Sequence, residues 1–180
     1  MARSLTFSPE DARSIFDYDR TVFEQFARQV RRLPGTQATR SRGIGHESLF
    51  NTLVHILNVH EVWHVYIVRE RNSDEELEKL FADPRRKPKN WKEFDAYAAR
   101  VWREVDATLA SLTSRKLGRK VKVFWMPGEY TVRDAILQTT LEEAHHLGEI
   151  IGALWQDDIE TDDMTWIDVG RKLERRVRRR

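Results

Sequence analysis

The apolar positions of this 180-residue chain change period along its length, and each change marks an element. Ile15, Phe16, Val22, Phe23, Phe26, Val30 and Leu33 recur at helical spacing. The segment "SPED" at 8–11 starts that helix, with Ser8 as N-cap and Pro9 in the first turn, and "PG" at 34–35 stops it. After a polar loop, "TQATRSRGIG", the pattern predicts a second helix from His46 to Arg71. It is apolar on nearly every side, through Leu49, Phe50, Leu53, Val54, Ile56, Leu57, Val59, Val62, Trp63 and Val65, which is the pattern of a buried helix.

The next stretch, "NSDEELEKLFADPRRKPKN", is a charged connection with room for one short helical turn. Asn90 with Glu93 caps a third helix to about Leu112. The period then drops to two: "KVKVFW" alternates, "MPGE" turns, and "YTV" returns as a short second strand. Thr131 with Asp134 caps a fourth helix ending near Gln156. Four long helices with a long 2–3 crossover and a small β-hairpin before helix 4 read as an all-α four-helix bundle over 1–156. Residues 157–180 then form a charged C-terminal extension.

Composition narrows the class. With 40% hydrophobic and 33% charged residues the chain is globular rather than disordered. A net charge of +2 gives no argument for specific nucleic-acid binding. The basic closing run "GRKLERRVRRR" reads as the solvated end of a short helix. No cysteine is present, so disulfides, thiolate metal ligands and a cysteine nucleophile are excluded, and a cytoplasmic location is expected. The opening "MARSLTFSPEDARS" has no apolar leader segment. The apolar stretch 49–68 is interrupted by Asn51, His55, Asn58, His60, Glu61 and His64, so no membrane span is expected.

The candidate chemistry lies in two histidine-bearing stretches. "HEVWH" at 60–64 fits the H-E-x-x-H pattern of zinc proteases. "LEEAHHLGEI" at 141–150 places Gln138, Glu142, His145, His146 and Glu149 along one broad stripe of helix 4, either a solvated face or a site between helices. Each helical residue advances roughly 100°, so His60 and His64 share a side while His55 lies roughly 140° from His60. The three cannot hold one ion together. A protease reading takes His60, His64 and Glu61 but finds no obvious third ligand in the following segment. A ferritin-like di-iron reading takes Glu61-x-x-His64 and Glu142-x-x-His145, with Glu24 and Glu104 from the remaining helices. A non-catalytic dimeric binding bundle is the third reading.

Over about residues 8–156 the chain resembles the DinB/YfiT-like metalloenzymes. The resemblance is carried by "LVHILNVHEVW" on helix 2, by the hairpin-to-helix entry "PGEYTVRDAI", and by "EEAHHLGEI", which is similar to the family's H-x-x-x-H-R-G-Q segment. It implies an up-and-down bundle that binds a divalent metal, zinc or nickel, through one histidine on helix 2 and two on helix 4. Carried over by position, His55 is the first ligand and His146 the third. The second falls on Glu142, a departure that keeps an oxygen ligand and leaves open positions on the ion. Leu147 stands for the family's Arg and Glu149 for its Gln.

The family's activities include transfer and isomerisation with low-molecular-weight thiols, and hydrolysis. The resemblance therefore implies a metal-dependent transferase or hydrolase, the metal activating water or a thiol. Glu149, His145 or His60 would move protons, His60 otherwise belonging to the packing around the site, and a homodimer is expected.

Overall fold

In a computed structural model of the chain, the structure describes residues 7–43, 45–71, 73–162, 164–167 and 169. The arginine-rich end at 171–180 lies outside the described residues. The described chain is mostly helical with one small antiparallel hairpin. In order it runs α1 (Pro9–Arg31), α2 (Leu49–His60), a π-helix (Glu61–Ile67), α3 (Asp74–Ala82), a 3-10 turn (Pro84–Arg86), α4 (Trp91–Ala110), α5 (Ser114–Leu117), β1 (Lys120–Val123), β2 (Met126–Thr131) and α6 (Val132–Trp155).

Helix starts follow their caps. At α1 the Asp11 amide donates to Ser8 Oγ at 3.1 Å while the Ser8 amide donates to Asp11 Oδ2 at 2.8 Å, a reciprocal capping pair. At α4 the Glu93 amide donates to Asn90 Oδ1 at 3.0 Å, while the Asn90 side-chain Nδ2 and the Lys89 amide donate to the Glu93 carboxylate at 2.8 and 2.9 Å. At α6 the pair is Thr131 and Asp134, at 3.2 and 2.8 Å. Two shorter helices, not predicted as such, are capped by Ser73 (α3) and Thr113 (α5).

The predicted second helix departs from expectation at both ends. The α-helix begins at Leu49 and leaves His46 in the preceding loop. Beyond His60 the backbone widens into i→i−5 bonding, with the Val68 amide on the Trp63 carbonyl at 3.0 Å and the Arg71 amide on the Tyr66 carbonyl at 2.8 Å. The hairpin also turns earlier than predicted, at Phe124–Trp125, and "MPGE" lies in β2. Aromatic packing accounts for that shift. Trp125 meets Trp63 edge-on at 5.2 Å, Phe124 meets Phe81 at 6.1 Å, and the two hairpin rings meet at 4.3 Å.

The chain divides into two compact units, one within Met1–Ser14 and Leu57–Thr139, the other within Ile15–Ile56 and Thr140–Arg180. The first packs Trp63, Leu80, Tyr97, Val101, Trp102, Val121 and Ile136 in its core. Its central polar feature is Glu61, 2% exposed. The Glu61 carboxylate accepts from Arg86 at 2.9 Å, Arg100 at 2.5 Å and the Tyr97 hydroxyl at 2.9 Å. In the second unit Phe16, Phe23, Phe26, Leu53, Ile56, Leu147, Ile150 and Leu154 are buried. There the residues after α6 continue to pack on α1. Gln29 donates to the Glu160 carbonyl at 2.6 Å, the Tyr18 hydroxyl donates to the Met164 carbonyl, and the Tyr18 ring meets Trp166 at 5.1 Å.

Candidate metal centre

Within the second unit, three histidines converge: His46 from the loop before α2, His55 from α2 and His146 from α6. One ring nitrogen of each lies within 4.8 Å of the other two. The His46 and His55 rings stack at 3.6 Å and 21°, and His146 stands edge-on to both, at 5.2 and 4.5 Å. Two nitrogens on one tetrahedral zinc lie about 3.3–3.4 Å apart. Closing on an ion thus asks the ring nitrogens to approach one another by up to about 1.4 Å.

The loop that delivers His46 is shaped by its glycines. Gly43 and Gly45 take φ of 66° and 52°, in the left-handed region, and Glu47 follows at 68°. The Arg42 amide closes the loop on the Glu47 carbonyl at 2.6 Å. The Arg42 side chain, 7% exposed, reaches the last turn of α6, donating to the Ala153 carbonyl at 3.3 Å and to Asp157 at 2.8 Å. It also holds the Gln37 carbonyl at 3.2 Å. One buried guanidinium thus ties the His46 loop to the helix that carries His146.

The donor set fits a divalent ion. All three histidines are half-buried. Burial, with His146 second, holds the imidazole of His46 below its ordinary pKa, and Glu149 opposes this only in part. The neutral ring that results is the ligating form. His146 Nδ1 donates to Glu149 Oε2 at 2.9 Å, the arrangement in which a carboxylate orients a metal-binding imidazole. His145, 70% exposed, places Nε2 at 3.6 Å from Glu149 Oε1, and His145, His146 and Glu149 form a second, overlapping group.

Of the residues singled out from sequence, His55 and His146 come together. Glu142, half-buried, is in neither group of ligand-capable side chains among the described residues. His60 and His64 fall in the other unit, at 0% and 2% exposure, their rings stacked at 5.5 Å and His60 edge-on to Trp102 at 5.0 Å. Burial pushes both down to about 3, with His60 adding to the effect on His64. Glu61 between them is committed to Arg86 and Arg100. In "HEVWH" both rings are therefore closed off from solvent and the carboxylate is held by two guanidiniums. Two further carboxylates of the di-iron reading are paired at more exposed positions, Glu104 with Arg69 at 2.8 Å and Glu24 with Arg20 at 3.1 Å.

Sequence reasoning placed His46 at the start of the second helix and gave it no role in a site. The available signal was "GIGH", a glycine-flanked histidine just ahead of Ser48, whose hydroxyl accepts from the Asn51 amide at 3.1 Å at the start of α2. No curated protein matches the sequence. A family model described as the DinB superfamily matches residues 16–150, a span that holds His46, His55, His146 and Glu149. The chain belongs to the DinB superfamily.

Proposed function

We propose that this chain is a divalent-metal-dependent enzyme of the DinB-like type, with zinc or nickel held by His46, His55 and His146. The observation that carries the reading is the convergence of three ligand-capable imidazole nitrogens within 4.8 Å, from one loop and two helices. A three-histidine set leaves a position open, as catalytic zinc sites do. A bound ion would supply Lewis acidity toward a thiol or water, which suits the transferase and hydrolase activities of the family.

The chain's own residues do the rest. His46, His55 and His146 present their ring nitrogens to one another, and the Glu149 carboxylate engages Nδ1 of His146 at 2.9 Å. His145, exposed beside Glu149, is the group of this set that can exchange a proton with solvent. In chain order α1, α2 with its π continuation, α4 and α6 supply the four long helices that an up-and-down bundle needs. In this proposal His46 takes the place that the sequence pattern gave to Glu142.

The test is the metal content of tag-free protein loaded with zinc or nickel and freed of excess ion. The expected result is about one equivalent per chain, lost in His55→Ala. His64→Ala should keep the metal and melt lower, because a buried ring is removed. No bound metal in the wild type, two irons per chain, or a site emptied by His64→Ala would each contradict the reading.

A further inference from the structure

Glu149 and Gly45 meet beside the histidine cluster so closely that a side chain on residue 45 would push the Glu149 carboxylate aside. A Cβ built on Gly45 would lie 2.7 Å from Glu149 Oε2, 3.1 Å from its Cδ and 3.4 Å from its Oε1. The same Oε2 accepts from His146 Nδ1 at 2.9 Å. An ionised carboxylate has no proton to give, so this hydrogen bond fixes the proton of a neutral His146 on Nδ1 and leaves Nε2 as its free lone pair.

We infer that Glu149 is the positioning residue of His146, and that position 45 is glycine because the Glu149 carboxylate occupies the space its Cβ would need. The Gly45–His46 dipeptide then has two roles. Residue 46 supplies a ligand, and the left-handed turn at residue 45, with φ of 52°, seats the carboxylate that sets the tautomer of another ligand. The effect on metal affinity rests on the metal site proposed above, whereas the effect on the His146 tautomer does not.

Gly43 supplies the control. It has φ of 66° in the same loop, and a Cβ there would meet nothing within 4 Å. Gly43→Ala and Gly45→Ala therefore carry similar backbone strain, and only the second displaces Glu149. The experiment compares wild type, Gly43→Ala, Gly45→Ala, Glu149→Ala and the Gly45→Ala/Glu149→Ala pair by two readouts. The first is zinc affinity by competition titration. Glu149→Ala and Gly45→Ala should each weaken it about 10–100-fold, the usual cost of losing an orienting partner. Gly43→Ala reads the cost of left-handed backbone strain in the loop alone and should weaken binding clearly less than Gly45→Ala, and adding Gly45→Ala to Glu149→Ala should cost no more than Gly43→Ala costs the wild type. The second is the imidazole tautomer, from long-range 1H–15N spectra of metal-free protein at about pH 8, where unperturbed histidines are neutral. His146 should carry its proton on Nδ1 in wild type and Gly43→Ala, and become a mixture in Gly45→Ala and Glu149→Ala.

The inference is overturned if wild-type His146 is protonated on Nε2, or if Gly45→Ala matches Gly43→Ala in both readouts. It is also overturned by a second equivalent of zinc lost selectively in Glu149→Ala, since the carboxylate would then be a ligand to another ion. A protein that binds no zinc but shows the expected tautomer pattern sinks the metal reading and upholds the positioning role.

Discussion

Asp19 on α1 and Glu143 on α6 are 3% and 2% exposed, and no metal-ligand role is assigned to either. Thr140 donates to Asp19 Oδ2 at 2.8 Å. Burial, and then the charge of Glu143, raises the Asp19 carboxyl well above its usual range, and burial raises Glu143 likewise. A carboxyl whose folded pKa is raised binds its proton more tightly in the native state. The stability it contributes is fully present below the unfolded pKa of about 4 and is lost as pH rises toward the folded value. Asp19→Asn keeps an acceptor for Thr140 and removes that titration. The melting temperature should therefore fall less between about pH 5 and pH 8 in the variant than in wild type. Each unit of raised pKa corresponds to ~1.4 kcal/mol, or ~3–6 °C for a chain of this size. Parallel melting curves across that range would show that Asp19 titrates normally.

At the scale of elements, the π-helix Glu61–Ile67 places a carboxylate among two guanidiniums and a tyrosine hydroxyl. Arg86 and Glu61 are 9% and 3% exposed as side chains, so removing the acid leaves buried positive charge unmatched. Glu61→Ala should cost ~3–5 kcal/mol, seen as a drop of about 6–20 °C in melting temperature, with zinc affinity unchanged. A small thermal shift together with lost metal would return "HEVWH" to the active site. The same elements show what the sequence could tell. Helix starts at Ser8, Asn90 and Thr131 were legible because caps are local chemistry. The π segment was not, because a helix apolar on every side offers no stripe whose phase could reveal an added residue. The hairpin turn moved to Phe124–Trp125 because contacts with Phe81 and Trp63, distant in sequence, outweighed the turn chemistry of "MPGE". His55 and His146 were legible as helical positions. His46 was not, since left-handed glycines and the Arg42 tie to α6 deliver it, and neither produces a periodic signal.

At the scale of the molecule, the match to the DinB superfamily spans residues 16–150, and His46, His55 and His146 all fall within it. No described helix is long and apolar enough to cross a membrane. With no cysteine in the chain, no thiolate is available to an ion. In the proposed site His46 supplies the third nitrogen and Glu142 supplies no oxygen. The most direct measurement is X-ray absorption at the zinc edge of the loaded protein, which counts imidazoles through their scattering. Wild type and Glu142→Gln should both show three imidazoles with nitrogen at about 2.0–2.1 Å, and His46→Ala should show two or hold no zinc. Two imidazoles in wild type, unchanged in His46→Ala and disrupted in Glu142→Gln, would contradict the account and assign the third position to Glu142.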